Sequence, residues 1–367
     1  MGWASGPSFQ QQGGVSNAGL YDQRLGIEWV KNNIHLFGGD PNQITLIGES
    51  AGGGSIMHQI TAYGGLKPVS FQRAIPQSPG WFPISDQYTQ ENHTNTFLSY
   101  LNVSTLAEAR QASTTAVQTA NLLTVLQASF GSYIFGPTVD GIFVPTQPGL
   151  SLLTNISYAK NIQVMAGHNT FEGPLFTPPY IQSNDALASY ISTNYRSAPD
   201  SVVDYIVNEL YPPVYDGSQP YTSAIDRTVL VVTEQIFTCN TNYLARGYNN
   251  QTHNYWFAVP PALHGVDIYS TFYRGQGTNL SQAIYAPVAN AMQTYFTNFA
   301  MTGNPNTPGL VSASGPVPYF PIQGNNATAM KLNYTVASAT SVVPNIGVAT
   351  DNTANARCAW WQKGLYL

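Results

Sequence analysis

Residues 44–56 read ITLIGESAGGGSI: an apolar, β-branched run, a glycine, a serine, then a string of small residues. The run 44–47 has the composition of a short buried strand, and 51–60 that of a helix, so Ser50 falls on the turn between them. Upstream, Leu20, Ile27, Val30, Ile34 and Phe37 recur at helical spacing over 20–37, and Gly38-Gly39-Asp40-Pro41 stops that helix. Helix, buried strand, tight turn, helix is the local grammar of a parallel α/β sheet. In a chain with 32 glycines the pattern Gly48-Glu49-Ser50-Ala51-Gly52 is not specific by itself. The strand before it and the helix after it make Ser50 a nucleophile candidate. A serine on so sharp a turn needs small neighbours. Gly48 and Gly52 are expected to supply the room, with Ala51, Gly53 and Gly54 keeping the helix start uncrowded. The helix N-terminus also presents N–H groups to any oxyanion formed there.

Further strands are expected at 73–76, 162–166 and 254–259, with polar helical segments near 90–128, 184–210 and 223–249 between them. A last helix is expected over 287–301, ended by Thr302-Gly303-Asn304-Pro305. The span 303–350, rich in Pro, Gly, Asn, Ser and Thr, reads as irregular surface. There is no internal repeat and no composition break, so residues 1–367 read as a single domain.

A serine nucleophile needs a base, usually histidine, and a carboxylate to fix its tautomer. Of the six histidines, His35 and His58 lie on the flanking helices and read as surface or packing residues. His93 sits inside a glycosylation sequon, and His253 precedes a strand. His168 and His264 each lie just beyond the C-terminal end of an expected strand, where open α/β sheets gather their sites. If the order along the chain is serine, acid, histidine, as on α/β-hydrolases, His264 takes the base role. Glu172, in GHNTFEG, is then the acid candidate that follows its own strand, and His168 becomes a loop residue beside it. Asp140, in PTVDG, looks like a turn aspartate, and Asp267 falls after the histidine. Spacing alone leaves His168, Asp140 and Asp267 as alternatives. Trp81, Phe82 and Tyr180 are candidates to line an apolar pocket, though aromatics at such spots are as often plain core.

Composition narrows the setting. Only 8% of residues are charged, against roughly 25% in ordinary soluble domains. The formal charge of −5 carries no basic cluster, which argues against nucleic acid as a partner. No run approaches a membrane span, and MGWASGPSFQQQGG is not built like a signal peptide. Sequons at Asn92, Asn102, Asn155, Asn250, Asn279, Asn326 and Asn333, together with the low charge, fit a secreted glycoprotein. Cys239 and Cys358 read either as two buried thiols or, in an oxidising compartment, as one bridge.

The segment NAGLYDQRLGIEWVKNNIHLFGGDPNQITLIGESAGGGSI resembles the nucleophile region of type-B carboxylesterases, the cholinesterase and fungal-lipase family. FQRAIPQS, TVDGIFVP, GHNTFEG, LHGVDIYSTFY, NFAMTGNPN and CAWWQ follow in that family's order, so the resemblance spans essentially the whole chain. It implies an α/β-hydrolase fold, a central and mostly parallel sheet flanked by helices. It further implies Ser50 as nucleophile, Glu172 as acid, His264 as base and Ala51 as an oxyanion-hole donor. Glu49 matches the acidic neighbour of the nucleophile, Ser78 with Asp22 a buried polar support, and Cys239 with Cys358 a disulfide. Members are mostly secreted, glycosylated hydrolases of small-molecule esters that need no cofactor and no metal. The family also carries, before its GLxDQ segment, early strands and a glycine-rich turn giving further oxyanion donors. By that comparison the chain is expected to be the C-terminal two-thirds of such a protein, poorly soluble and nearly inactive alone. The alternatives to an active ester hydrolase are a catalytically impaired fragment and a non-catalytic, cholinesterase-like binding module.

Overall fold

Six strands form one sheet in the computed structural model, which describes residues 2–82, 86–338 and 341–367. They are β1 (Thr45–Glu49), β2 (Arg73–Gln77), β3 (Gln163–Asn169), β4 (His253–Phe257), β5 (Thr328–Ser338) and β6 (Ser341–Thr350), arranged across the sheet in chain order. β1 to β5 run parallel, and β6 returns antiparallel to β5. Parallel strands need crossovers that cover both faces, so their own residues become buried on both sides. Every residue of β2 is buried, and so is every residue of β3 after Gln163.

The pleat sends alternate side chains to opposite faces. Ala74, Val164 and Ala166 face one side, where Ile56, Met57 and Ile60 of α2 (Ala51–Thr61) pack. Partly buried Ile27 and Val30 of α1 (Ala18–Asn33) reach the same cluster. Ile75 and Met165 face the other side with Tyr255, Met330 and Leu332, against Val288, Met292, Tyr295 and Phe299 of the long helix Ala286–Thr302. Each fully buried Val, Leu, Ile, Met or Phe side chain among these is worth about 1.5–3 kcal/mol. That helix closes as its sequence suggests: Gly303 takes the left-handed conformation at φ 79° and its N–H returns to Phe299 O.

The span 303–350 is not simply irregular. It holds β5 and β6, and β5 extends the central sheet beside β4. The strand signal is weak because burial is confined to the start of the hairpin. Met330 and Leu332 are buried, whereas 335–338 and most of β6 are exposed and carry the Asn, Ser, Thr and Gly of a surface.

At the opposite edge, β1 pairs with β2 alone among the described residues. Ile47 is 46% exposed there. A groove of ≈480 Å³, lined among others by Ile27, Val30, Leu46, Ile47 and Ile56, runs along it. Cys239, opening the helix Cys239–Gly247, is disulfide-bonded to Cys358 in the short helix Ala356–Trp361, and both are fully buried. The bridge spans a sequence separation of 119 residues, a closure worth on the order of 4–5 kcal/mol in the chain-entropy model. Asn92, Asn102, Asn155, Asn279 and Asn326 are exposed, and Asn250 and Asn333 are half-buried. Among the described residues no helix is long and apolar enough to cross a membrane.

Candidate active site

Ser50 sits between β1 and α2 with φ 58° and ψ −121°, a backbone region that costs a non-glycine residue about 1–3 kcal/mol. Three hydrogen bonds hold it there. Ser50 N–H donates to Gln77 O at 3.0 Å, and its carbonyl accepts from Gly54 N and Gly80 N, both at 2.9 Å. The crowding expected at the turn is real but distributed differently. A Cβ on Gly48 would sit 2.7 Å from the Gly52 backbone, and one on Gly54 2.3 Å from Gly80 O, whereas Gly52 itself has open space. The tight contacts are thus between strand and helix on one side, and between helix and the loop after β2 on the other.

The acid and base candidates, Glu172 and His264, are delivered by the loops that follow neighbouring strands. After β3 the chain turns at once through Glu172, and after β4 a loop brings His264 back. Phe171 N–H donates to Ala262 O at 2.9 Å, tying the two loops together. His264 Nδ1–H donates to Glu172 Oε2 at 2.5 Å, and Ser50 Oγ–H donates to His264 Nε2 at 2.6 Å. Of the histidine and acid candidates, the structure brings together His264 and Glu172. His168 is not a loop residue: it lies in β3, fully buried, with Nε2 3.8 Å from Asp351 Oδ1. Asp140 is the turn aspartate its surroundings suggest, accepting from Ile142 N and Val144 N at 2.9 Å each. His58 is a packing residue. It is 1% exposed, Nδ1 bonds Gly54 O at 2.8 Å, and burial lowers its pKa to about 4.

Glu172 is itself fully buried and held on its other oxygen. Oε1 accepts from Ser78 Oγ at 2.7 Å and from Asn169 N at 2.5 Å. Asp22 plays no part in this support, because it is exposed on α1. Its place is taken by Asp267, fully buried, which accepts from Asn169 Nδ2 at 3.1 Å, Tyr255 OH at 2.8 Å and Gln77 Nε2 at 3.0 Å. Asn169 and Gln77 were not singled out from the sequence. The signal was their position, each being the last residue of a parallel strand.

Three carboxylates, Glu172, Glu49 and Asp267, act on the imidazole. Burial pulls the His264 pKa down, but the hydrogen bond and charge of Glu172, helped by Glu49, leave it above its ordinary value. Glu49 Oε1 lies 3.3 Å from His264 Nε2. Burial raises the Glu49 pKa to about 7. The charge on His264 opposes that rise, while those on Asp267 and Glu172 add to it. The two titrations are coupled.

Ser50 opens on a cavity of ≈200 Å³ walled mainly by aromatic side chains, including Trp81, Phe82, Tyr133, Phe176 and Phe237. Trp81 and Phe82 therefore line it as expected. Tyr180 does not: it is 65% exposed and borders a separate cavity with Ser129 and Tyr190. No group of three or more His, Cys, Asp or Glu side chains placed to hold a metal occurs among the described residues.

Residues 2–361 match the carboxylesterase family. The chain is similar to carboxylesterase patB of Penicillium expansum, 37% identical over 99% of this chain and 62% of that protein. It is also similar to a secreted lipase of Arthroderma benhamiae, 29% identical over 99% of this chain and 68% of the relative. The chain thus spans less than two-thirds of the length of the first of these relatives. Among solved structures, Aspergillus niger EstA superposes with a TM-score of 0.80 at 24% identity, covering 99% of this chain and 71% of that one. That likeness establishes the α/β-hydrolase fold.

Proposed function

The chain belongs to the carboxylesterase family, and from that membership and the geometry at Ser50 we propose that it hydrolyses small-molecule carboxylic esters through an acyl-enzyme. The observation that carries this reading is the continuous hydrogen-bonded line Glu172–His264–Ser50, at 2.5 and 2.6 Å, ending in a cavity.

Ser50 Oγ attacks the acyl carbon while His264 Nε2 takes its proton. Glu172 fixes the tautomer with the proton on Nδ1 and stabilises the imidazolium once it forms. The Ala51 N–H, opening α2 where first-turn amides lack intrahelical partners, faces the developing oxyanion with the positive end of the helix behind it. The imidazolium then protonates the leaving alcohol, and water repeats the sequence on the acyl-enzyme. A base with its pKa raised above the usual histidine value is neutral only at higher pH, so activity climbs with pH through that value. No cofactor or metal enters this route. The low charge, the accessible sequons, the buried disulfide and the similarity to a protein named a secreted lipase support a secreted, glycosylated protein.

A fluorophosphonate probe tests the reading directly. It should label the protein, lose all labelling in Ser50→Ala and most of it in His264→Ala, and p-nitrophenyl acetate turnover should follow the same order. Labelling that persists in Ser50→Ala would rule the serine out. A binding module without turnover would take up no label at all.

A further inference from the structure

Helices Ala224–Thr233 and Cys239–Gly247 are separated by a π-helical turn, Glu234–Thr238. Such a turn inserts one residue into the helical register and re-aims the side chains around it. Here it directs Ile236 and Phe237 into the cavity beside Ser50. The Phe237 ring lies 4.3 Å from the His264 imidazole, centroid to centroid, and 4.9 Å from Phe176. Phe176 meets the same imidazole edge-on at 5.0 Å, so the three rings form a triangular cluster in which His264 packs against both phenylalanines.

The turn is fixed from several sides. Arg357 binds Glu234 with two bonds of 2.7 Å, and Tyr211 OH donates to the same carboxylate at 2.6 Å. Thr233 Oγ1 accepts from Gly173 N at 3.0 Å, joining the turn to the residue after Glu172. Asn240 Nδ2 donates to Pro79 O at 2.8 Å, joining it to the loop beside Ser50. A Cβ on Gly80 would lie 2.5 Å from the Phe237 ring, so the ring is packed flush against that loop. Elsewhere the cavity is bounded by Phe82 stacked on Tyr133, centroids 5.0 Å apart and planes at 15°. A second cavity of ≈190 Å³, bordered by Arg196 and Asn194, begins beyond that pair. The ≈200 Å³ left at Ser50 is comparable to an apolar void of about 150 Å³ that holds one benzene ring.

We propose that Phe237 is a specificity-determining and imidazole-positioning residue. With the Phe82–Tyr133 stack it restricts the site to esters whose group in this cavity is short or a single ring, and it shuts out long acyl chains. This rests on the reading of Ser50 as an acylated nucleophile. Phe237 touches His264 and the space for the substrate, and the anchors around Glu234 keep it there.

The test compares p-nitrophenyl acetate, butyrate, benzoate and decanoate on the protein and on Phe237→Ala, Phe237→Leu and Tyr133→Ala, with melting curves and fluorophosphonate labelling alongside. The unmodified protein should favour butyrate or benzoate over decanoate in kcat/KM by about 10-fold or more, since single methylenes in a filled pocket discriminate by about 10–200-fold. Phe237→Ala should raise the decanoate-to-acetate ratio about 10-fold while lowering kcat for acetate. Phe237→Leu should restore the acetate kcat and keep an intermediate ratio, and Tyr133→Ala should raise the ratio with less loss of kcat. A purely structural role for Phe237 would lower all esters alike. A ratio that stays flat in folded Phe237→Ala overturns the proposal, as does a native preference for decanoate. If Phe237→Ala fails to fold, an unshifted ratio in both Phe237→Leu and Tyr133→Ala does the same. Absence of both labelling and turnover overturns the Ser50 reading and this inference with it, whereas labelling and turnover without size discrimination overturn this inference alone.

Discussion

Two histidine–carboxylate pairs meet near the end of β3, one through His168 within the strand and one through Glu172 just beyond it, and they could hardly differ more. His264 and Glu172 lie beyond the strand ends at 2.5 Å, with His264 bonded in turn to the hydroxyl of Ser50, which borders a cavity. His168 and Asp351 lie 3.8 Å apart inside the protein, with side chains 2% and 1% exposed. His168 Nδ1 is spent on Asn169 O, and its Nε2 has no hydrogen-bond partner. Asp351 instead gathers bonds from Thr353, Asn254 and Gln323, pinning the end of β6 to the sheet. A buried imidazole beside a carboxylate is therefore not a sign of catalysis in itself. What separates the pairs is the third partner: the Ser50 hydroxyl with a cavity in front of it in one, packed protein in the other.

The largest expected effect comes from removing that third partner. Ser50→Ala, or His264→Ala, should cut kcat by about 10⁴–10⁶-fold with the melting temperature nearly unchanged, as read by ester turnover and calorimetry. Glu172→Gln should cost about 10⁴-fold, because the imidazole would then adopt the wrong tautomer. Asp351→Asn is the mirror experiment. It should cost about 3–5 kcal/mol of stability and leave kcat intact at temperatures where the variant is folded; a large kcat loss in that folded variant would erase the distinction between the pairs.

The sealed pair also predicts a pH window. Burial raises the Asp351 pKa, but His168 and Thr353 bring it down to about 2, so its stabilisation holds above its unfolded value near 3.9 and fades as pH falls toward 2. Burial lowers the His168 pKa, but Asp351 raises it past the ordinary value. The histidine's share is therefore complete below about 6.5 and is lost as pH rises through the folded value. The stability gap between the native protein and Asp351→Asn should be widest between about pH 4 and 6.5, measurable by denaturant titration. The smallest effect belongs to Glu49→Gln. Removing a charge that raises the His264 pKa should move the acid limb of kcat/KM to lower pH, by less than about one unit. A shift to higher pH would mean that Glu49 is not acting through its charge.

The open pair was legible only in part: spacing made Glu172 and His264 candidates but left His168, Asp140 and Asp267 beside them, and the family resemblance made the choice. Ser50 sits in a glycine-bracketed turn after an apolar run, and Glu172 and His264 each follow their own strand. The closed pair was not, because Asp351 lies in a run of Thr, Asn and Ala that resembles any surface loop, and its burial depends on a hairpin that composition disguises. Asp22 failed for the same reason in reverse: resemblance offered a carboxylate, while α1 turns that residue to solvent and Asp267 supplies the buried charge. Phe237 could not be read either. Helical periodicity assumes an unbroken register, and the π-turn is what brings this ring onto the His264 imidazole.

Among the described residues β1, which leads into the Ser50 turn, is bonded to β2 alone, and that has a dynamic consequence. Among the described residues, its backbone amides that point away from β2 have no ladder partner to slow their exchange with water. Deuterium should enter residues 45–49 well before residues 163–169, whose strand is paired on both flanks. On that expectation, the strained backbone at Ser50 hangs from the flank of the described sheet that opens first. Its fine geometry follows the local opening equilibrium of β1 sooner than the global unfolding of the chain, and anything that lies down along that flank would quiet the serine without touching it.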